Sequence, residues 1–308
     1  MILRTFIENI EPTNYKCKYV NYSVVYNALQ INPLRRLKML NFSKKSIKTI
    51  LSSFGLEVHR QVRGASQRSR ASMQGCLQQA RQNGLSPDTI MDVGAARGTP
   101  ALYEVFPNAR HIFIEPLKEF VPHLDSLVQK LNRAEYIVAA ATSTPGNVVI
   151  NIHPDLEGSS MYKENEDSNV NGVERTIPAM TIDRICQERG TTGSYLIKID
   201  TQGSELDVLI GAEAVLQDTE FIILEVSLFE FFQGGPQLYD CINFMKNRGF
   251  VAYDVFDLQY RLLDGAMSQV DIAFVREQSK FRKFHFYATQ KQRNFQNKLI
   301  LQNIDKSN

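Results

Sequence analysis

Between Thr89 and Val275 short apolar runs recur along the chain: TIMDV, HIFIE, YIVAAA, YLIKID, FIILEV, FVAYDVF and DIAFV. They lack the strict apolar–polar alternation of a half-exposed strand, so they predict strands buried on both faces, as in a parallel sheet. Segments with helical spacing of apolar residues separate most of them, at 100–106, 118–131, 181–188, 204–216 and 236–247. This rhythm predicts an α/β fold, a doubly wound, mostly parallel open sheet with helices on both faces. VVINIH, after Pro145-Gly146-Asn147, breaks the rhythm and is predicted to be an inserted hairpin partner of YIVAAA.

Outside this region the pattern is weaker. Residues 1–43 show no clean period and are set apart as an N-terminal extension. In 46–54, Ile47, Ile50, Leu51 and Phe54 share one helical face. A polar Gly/Ser/Arg-rich stretch follows and runs into a predicted helix from Met73 to Asn83, ended by Gly84. Residues 44–85 are therefore read as a basic helical segment and linker, 86–280 as the main domain, and 281–308 as a basic Gln/Asn-rich tail.

Charge sharpens this division. The net charge of +2 hides a balance of +11 over residues 1–85, −15 over 86–275 and +6 over 276–308. An acidic central domain argues against a nucleic-acid partner, since phosphate binding needs a basic face. The basic N-terminal helix leaves weak membrane-surface contact open, but no apolar run is long enough for a transmembrane segment. Cys17, Cys76, Cys186 and Cys241 form no CxxC pair, which fits neither a zinc site nor a disulfide framework and agrees with a cytoplasmic location.

The chemistry concentrates at the ends of predicted strands, where open α/β sheets bind ligands near the switch in strand order. Asp92 and Gly94 end the first strand. Gly94 allows a sharp turn, Gly98 allows close approach, and the next helix is expected to offer free N–H groups to an anion. Glu115 ends the following strand, placed to accept hydrogen bonds from ribose hydroxyls. The loop Gly94-Ala95-Ala96-Arg97-Gly98 lacks the middle glycine of the dinucleotide fingerprint, and no GxxxxGK[ST] string exists. A nucleoside with a ribose but no pyrophosphate fits this loop, and S-adenosylmethionine is such a molecule.

The strings DVGAARG, Ile114-Glu115-Pro116, MTID at 180–183, LIKIDTQGSELDVLIGA at 196–212 and ILEVS at 223–227 extend this reading. Together they resemble the FkbM-type family of class I S-adenosylmethionine-dependent methyltransferases. The resemblance implies a seven-stranded Rossmann-like sheet with an antiparallel last strand. It also implies methylation of hydroxyl groups, on sugars, glycans or secondary metabolites. The chain departs from the family in two places: Ala96 stands where Asn is common, and 140–143 lacks the acid often found near the adenine. The expected cofactor residues are Asp92, Gly94, Ala95, Gly98, Glu115 and Pro116.

The second site segment reads as strand, loop and helix. Asp200 stands at the strand's carboxyl end, across the switch point from the glycine loop, and is the first candidate for the base that takes the acceptor's proton. Glu205, in the first turn of the next helix, and Glu225, at the equivalent position on the next strand, are the other catalytic candidates. Glu205 is explained equally well by the helix dipole. His153, Ser159 and Gln202 are the expected acceptor-binding residues. His153, Asp155 and Glu157 alternate but lack a recognised ligand spacing, so no metal is assigned. Two rivals remain: an NAD-linked oxidoreductase, which the altered glycine loop disfavours, and a non-catalytic adaptor on a nucleoside-binding fold. Sequence alone leaves the oligomeric state open.

Overall fold

The computed structural model describes residues 71–166 and 169–305; the segment 1–43 and the helix expected over 46–54 lie outside them. Ten strands are present in this region: β1 Thr89–Val93, β2 Arg110–Ile114, β3 Ala134–Ile137, β4 Ala140–Ala141, β5 Gly146–Ile152, β6 Val173–Met180, β7 Tyr195–Ile199, β8 Thr219–Ser227, β9 Phe250–Tyr260 and β10 Met267–Arg276. The helices are α1 Met73–Gln82, α2 Pro100–Val105, α3 Val121–Lys130, α4 Ile182–Arg189, α5 Glu205–Ile210, α6 Leu238–Asn247 and α7 Gln290–Asp305. Seven strands form one sheet in the order β3-β2-β1-β7-β8-β10-β9, with β10 antiparallel to both its neighbours. This is a Rossmann-like doubly wound sheet whose order reverses between β1 and β7.

The central strands bury both faces, which is why their sequences do not alternate. Ile90, Leu196, Phe221, Ile223, Ala273 and Val275 pack with Leu77 of α1 and Leu102 of α2. Their odd-and-even partners Met91, Val93, Ile197, Ile222, Leu224 and Ile272 pack with Ile185 of α4, Leu209 of α5 and Met245 of α6. Fully burying each such side chain stabilises the fold by about 1.5–3 kcal/mol.

Two local expectations are corrected. VVINIH, in β5, pairs antiparallel with β6, and β6 in turn pairs with β4, so YIVAAA is divided between β3 in the large sheet and β4 in a separate three-stranded one. Strand β6, VERTIPAM, holds the polar positions that hid it from an apolar-run search. The helix expected over 204–216 stops at Ile210, where Gly211 closes on Thr142: an added Cβ would lie 2.1 Å from its carbonyl oxygen.

The segments flanking the sheet are also tied into it. Helix α1, read from sequence as part of the linker segment, buries Cys76, Leu77 and Ala80 in the core, and Tyr253 of β9 donates to Gln79 at 2.8 Å. Phe281 stacks edge-on against Phe221 and Tyr253, at 6.1 and 5.5 Å between centroids, so the tail begins pinned to the sheet. Among the described residues no helix is long and apolar enough to cross a membrane.

Candidate active site

Side-chain parity builds the site. In β1, β7, β8 and β10 the positions that carry Ile90, Leu196, Ile223 and Ala273 on one face carry Asp92, Lys198, Asp200, Glu225 and Asp271 towards the carboxyl ends of the parallel strands. One face of the sheet thus changes from apolar to charged at the switch point, where the strand order leaves a crevice.

Lys198 is buried at the centre, with its Nζ 3.1 Å from Asp200 and 3.6 Å from Asp92. Burial works against its charge, but the two carboxylates outweigh that penalty and raise its pKa. Asp92, 1% exposed, also accepts from the Thr99 amide at 3.0 Å and the Thr99 hydroxyl at 3.1 Å. Burial nonetheless raises its pKa. This changes one expectation: the Thr99 amide is engaged by Asp92, and Pro100 carries no N–H. With the Leu102 amide donating to the Thr99 carbonyl at 3.1 Å as well, the start of the short helix α2 offers fewer free donors to an anion than expected.

The glycine loop is held from both sides. Gly94 and Ala95 donate to the Ile114 carbonyl at 2.9 and 3.2 Å. Gly94 has φ +71°, and a Cβ there would lie 1.8 Å from the Asp200 carbonyl oxygen, so the loop abuts the end of β7. Gly98 packs against Leu127 of α3, where a Cβ would lie at 2.4 Å. Ala96 occupies a left-handed conformation (φ +45°), and its amide donates to Glu115 at 2.7 Å.

Glu115 is 4% exposed and accepts a second bond from the Leu117 amide at 2.9 Å. Burial outweighs these donors and raises its pKa to about 7. Its two oxygens each receive one amide, leaving acceptor capacity for the vicinal hydroxyls of a ribose. Pro116 follows it, half-buried. The turned loop and this buried acid fit S-adenosylmethionine.

At the ends of β7 and β8, the Gln202 amide donates to Asp200 at 2.9 Å and to Glu225 at 3.0 Å, with Gln202 itself in a left-handed conformation (φ +53°). Asp200, its side chain 31% exposed, is held below the ordinary carboxylate range: Lys198 and Gln202 outweigh the effect of burial. Glu225 is pushed well above that range by burial and by the charges of Asp200, Asp271 and Glu205. Asp271, directly opposite Glu225 on β10, is raised to about 7 by burial and Asp200.

Several sequence candidates have other engagements. One oxygen of Glu205, 4% exposed, receives the Thr201 amide at 3.1 Å, the Gly203 amide at 3.0 Å and the Thr201 hydroxyl at 3.3 Å. It braces the loop after β7. His153 pairs with Asp155 at 2.7 Å, and Ser159 accepts from the His153 amide at 3.0 Å, so both shape the inserted segment. That segment joins the crevice through Ser160, which donates to the Gln202 carbonyl at 2.6 Å, and through an Arg97–Glu157 ion pair to the glycine loop. Among the described residues no group of three or more His, Cys, Asp or Glu is placed to hold a metal.

The sequence reading missed Gln259 and Gln269, which donate to Glu225 at 2.7 and 2.9 Å, and Asp271. It also missed Asp207, which receives the Ser143 amide at 3.0 Å beside the loop that lacks its own acid.

Fold and site together define a class I methyltransferase scaffold. A model of the FkbM methyltransferase domain matches residues 92–252, and the chain belongs to this family. It is an S-adenosylmethionine-dependent methyltransferase, and S-adenosylmethionine is its cofactor. It is 27% identical over 183 residues to the 2-O-methyltransferase NoeI of Sinorhizobium fredii (strain NBRC 101917 / NGR234), covering 54% of this chain and 74% of that protein. Two solved structures also align. The precorrin-6y C5,15-methyltransferase of Geobacter metallireducens GS-15 is 12% identical with a TM-score of 0.34, covering 68% of this chain and 92% of its own. The magnesium protoporphyrin IX methyltransferase (ChlM) of Synechocystis PCC 6803, with bound SAM, is 10% identical with a TM-score of 0.38, covering 75% and 96%.

Proposed function

We propose that the protein methylates a hydroxyl group on a sugar-type acceptor, a monosaccharide unit or a glycan. The observation that carries this reading is the carboxylate pair Asp200–Glu225, on adjacent strand ends and spanned by one Gln202 amide. The relative named a 2-O-methyltransferase supports oxygen as the receiving atom. An acceptor wall of amides and carboxylates suits a hydroxyl-rich ring.

Bound S-adenosylmethionine supplies an electrophilic methyl group on a sulfonium. In this reading Glu115 and Pro116 flank the ribose, while Gly94, Ala95 and Gly98 shape the loop beneath the nucleoside. Asp92 fixes that loop by tying Thr99 to the end of β1. Because Gly94 touches the Asp200 backbone, the donor loop and the carboxylate pair form one continuous wall. The pair orients the acceptor hydroxyl and takes its proton as charge develops on oxygen; such base assistance is typically worth about 10²–10⁴ in rate. Glu205, Ser160 and the His153–Ser159 segment hold the walls in register.

Methyl transfer from labelled donor to a panel of sugars and oligosaccharides, with non-hydroxylated amines and carboxylic acids as controls, tests the reading. Label appearing on an amine or a carboxylic acid and on no sugar hydroxyl would refute it. We assign catalysis to residues 86–280 together with α1. A reducing cytoplasm is the proposed compartment, in keeping with the buried thiols of Cys76, Cys186 and Cys241.

A further inference from the structure

Three glutamine side chains from three separate elements converge on one carboxylate. Gln202, from the loop after β7, donates to Glu225 Oε2 at 3.0 Å; Gln269, from β10, donates to the same oxygen at 2.9 Å; Gln259, from β9, donates to Oε1 at 2.7 Å. Surface glutamines have no reason to gather in this way.

Gln259 reaches this face only because β9 carries an irregularity. The pairing with β10 runs Asp271 to Phe256 but Gln269 to Gln259, so three residues of β9 oppose two of β10. The extra residue is accommodated near Asp257, which has φ +49°. With regular pairing, position 258 would face Gln269, and Gln259 would point to the other side of the sheet. Bulges beside active sites re-aim side chains in this manner. The bulge is itself anchored: the Met73 amide donates to the Asp257 carboxylate at 2.9 Å, and the Asp257 amide to the Ala71 carbonyl at 3.2 Å. Gln202 is likewise kept in a left-handed conformation that a non-glycine residue adopts at a cost of about 1 kcal/mol or more. Two locally strained backbones therefore aim amides at one acid.

We propose that Glu225 is the member of the pair that takes the acceptor's proton, and that Gln202, Gln259 and Gln269 are positioning residues that favour the ionised form of its carboxylate and aim it for that step. This rests on the hydroxyl-methylation reading above. The acceptor oxygen forms a bond to the methyl carbon while the carbon–sulfur bond breaks. That bond's electron pair stays on sulfur, giving S-adenosylhomocysteine, and the hydroxyl proton passes to Glu225.

The charges around Glu225 set the problem that the amides solve. Asp200 after β7, Asp271 on β10 and Glu205 on α5 all oppose its ionisation, and Lys198 on β7 favours it. On β9, Asp257 acts on Asp271. Asp200, paired with Lys198 at 3.1 Å, is the weaker base of the two, because a carboxylate stabilised by a cation holds a proton poorly. Glu225 is the stronger base once ionised, and hydrogen bonds to a charged carboxylate favour that form.

The test follows the Glu225 carboxyl directly, by NMR titration of the full chain carrying carboxyl-labelled glutamate with S-adenosylhomocysteine bound; Glu225→Gln identifies the resonance. Wild type should titrate above the ordinary glutamate range. Gln259→Met and Gln269→Met should each move the midpoint up by about one pH unit, the scale expected for one lost bond to a charged group. Asp200→Asn should move it down by at least a similar amount, since a like charge is removed. In sugar-methylation assays the acidic limb of kcat/KM should move to higher pH with the midpoint in the two Gln→Met variants. A midpoint that ignores both Gln→Met substitutions, or undiminished turnover in Glu225→Gln, overturns the proposal. If no sugar is methylated, the sugar reading fails, and the carboxyl titrations still decide whether the amides control Glu225.

Discussion

Donor binding should expel a proton from Glu115. In the free protein this carboxyl is nearly fully buried and its pKa stands at about 7, because burial outweighs the amides of Ala96 and Leu117. Ribose hydroxyls that donate to it stabilise the ionised form more than the neutral one, so binding lowers the pKa. If the bound value returns to the ordinary 4.5, linkage gives the size of the effect. Affinity for S-adenosylhomocysteine should rise about 70-fold between pH 5 and pH 8, with most of the rise below pH 7. Binding should release about 0.9 proton near pH 5.7 and about half a proton at pH 7. Calorimetric titrations in buffers of different ionisation enthalpy read that release directly. Glu115→Gln cannot ionise, so it should lose the steep pH dependence and bind roughly tenfold to a hundredfold more weakly at pH 8, the loss of one charge-assisted bond. An affinity flat from pH 5 to pH 8 in the wild type, or a Glu115→Gln variant with the same proton release, would remove Glu115 from the ribose site.

Gly94→Ala should destabilise the fold by at least about 2 kcal/mol, because its Cβ would lie 1.8 Å from the Asp200 carbonyl oxygen at φ +71°; denaturant unfolding checks this, and a change under 0.5 kcal/mol would contradict the close approach. Lys198→Met leaves Asp92 and Asp200 without their cation and should cost about 3–5 kcal/mol at pH 7.5. The cost should shrink at pH 5, where the raised carboxyl groups take up protons, and equal losses at the two pH values would refute the pairing. Phe281→Ala should lower stability by about 2 kcal/mol through its contacts with Phe221 and Tyr253, whereas deleting 284–308 should leave the unfolding midpoint nearly unchanged.

The proposed donor side could be picked out from sequence because its residues are local. Gly94, Gly98 and Glu115 lie within one β1–α2–β2 unit, and backbone hydrogen bonds inside that unit fix them. The proposed acceptor side could be picked out only in part. Asp200 and Glu225 announce themselves as acids ending apolar strands, but their different roles depend on Lys198, Gln202 and Asp271, which only the folded arrangement brings together. Gln259 was illegible in principle: 34 residues separate it from Glu225, and its face is set by a bulge. A one-residue change of register reverses every side chain beyond it, and periodicity alone does not show where that happens. The same limit misplaced VVINIH, whose partner β6 follows it by some 20 residues and has a half-polar pattern.

The charged end of the sheet explains why so much of the surrounding structure consists of hydrogen-bond donors. Asp92, Glu115, Asp200, Glu205, Glu225 and Asp271 are crowded together with Lys198 as their central cation. A buried carboxylate without partners would cost several kcal/mol, so each must be neutralised, as the raised pKa of Asp271 favours, or hydrogen-bonded, as the other five are. Asp92 is met by Thr99, Glu115 by two loop amides, Glu205 by Thr201 and Gly203, Asp200 by Lys198 and Gln202, and Glu225 by three glutamines. The backbone-bonded acids fix the loops that are proposed to hold the donor. In the proposed reading, the acids met by side-chain amides, Asp200 and Glu225, face the acceptor, where a proton must move and a rigid set of backbone donors would resist it. On that reading, the kind of donor a carboxylate receives divides the acids that serve binding from those that serve chemistry.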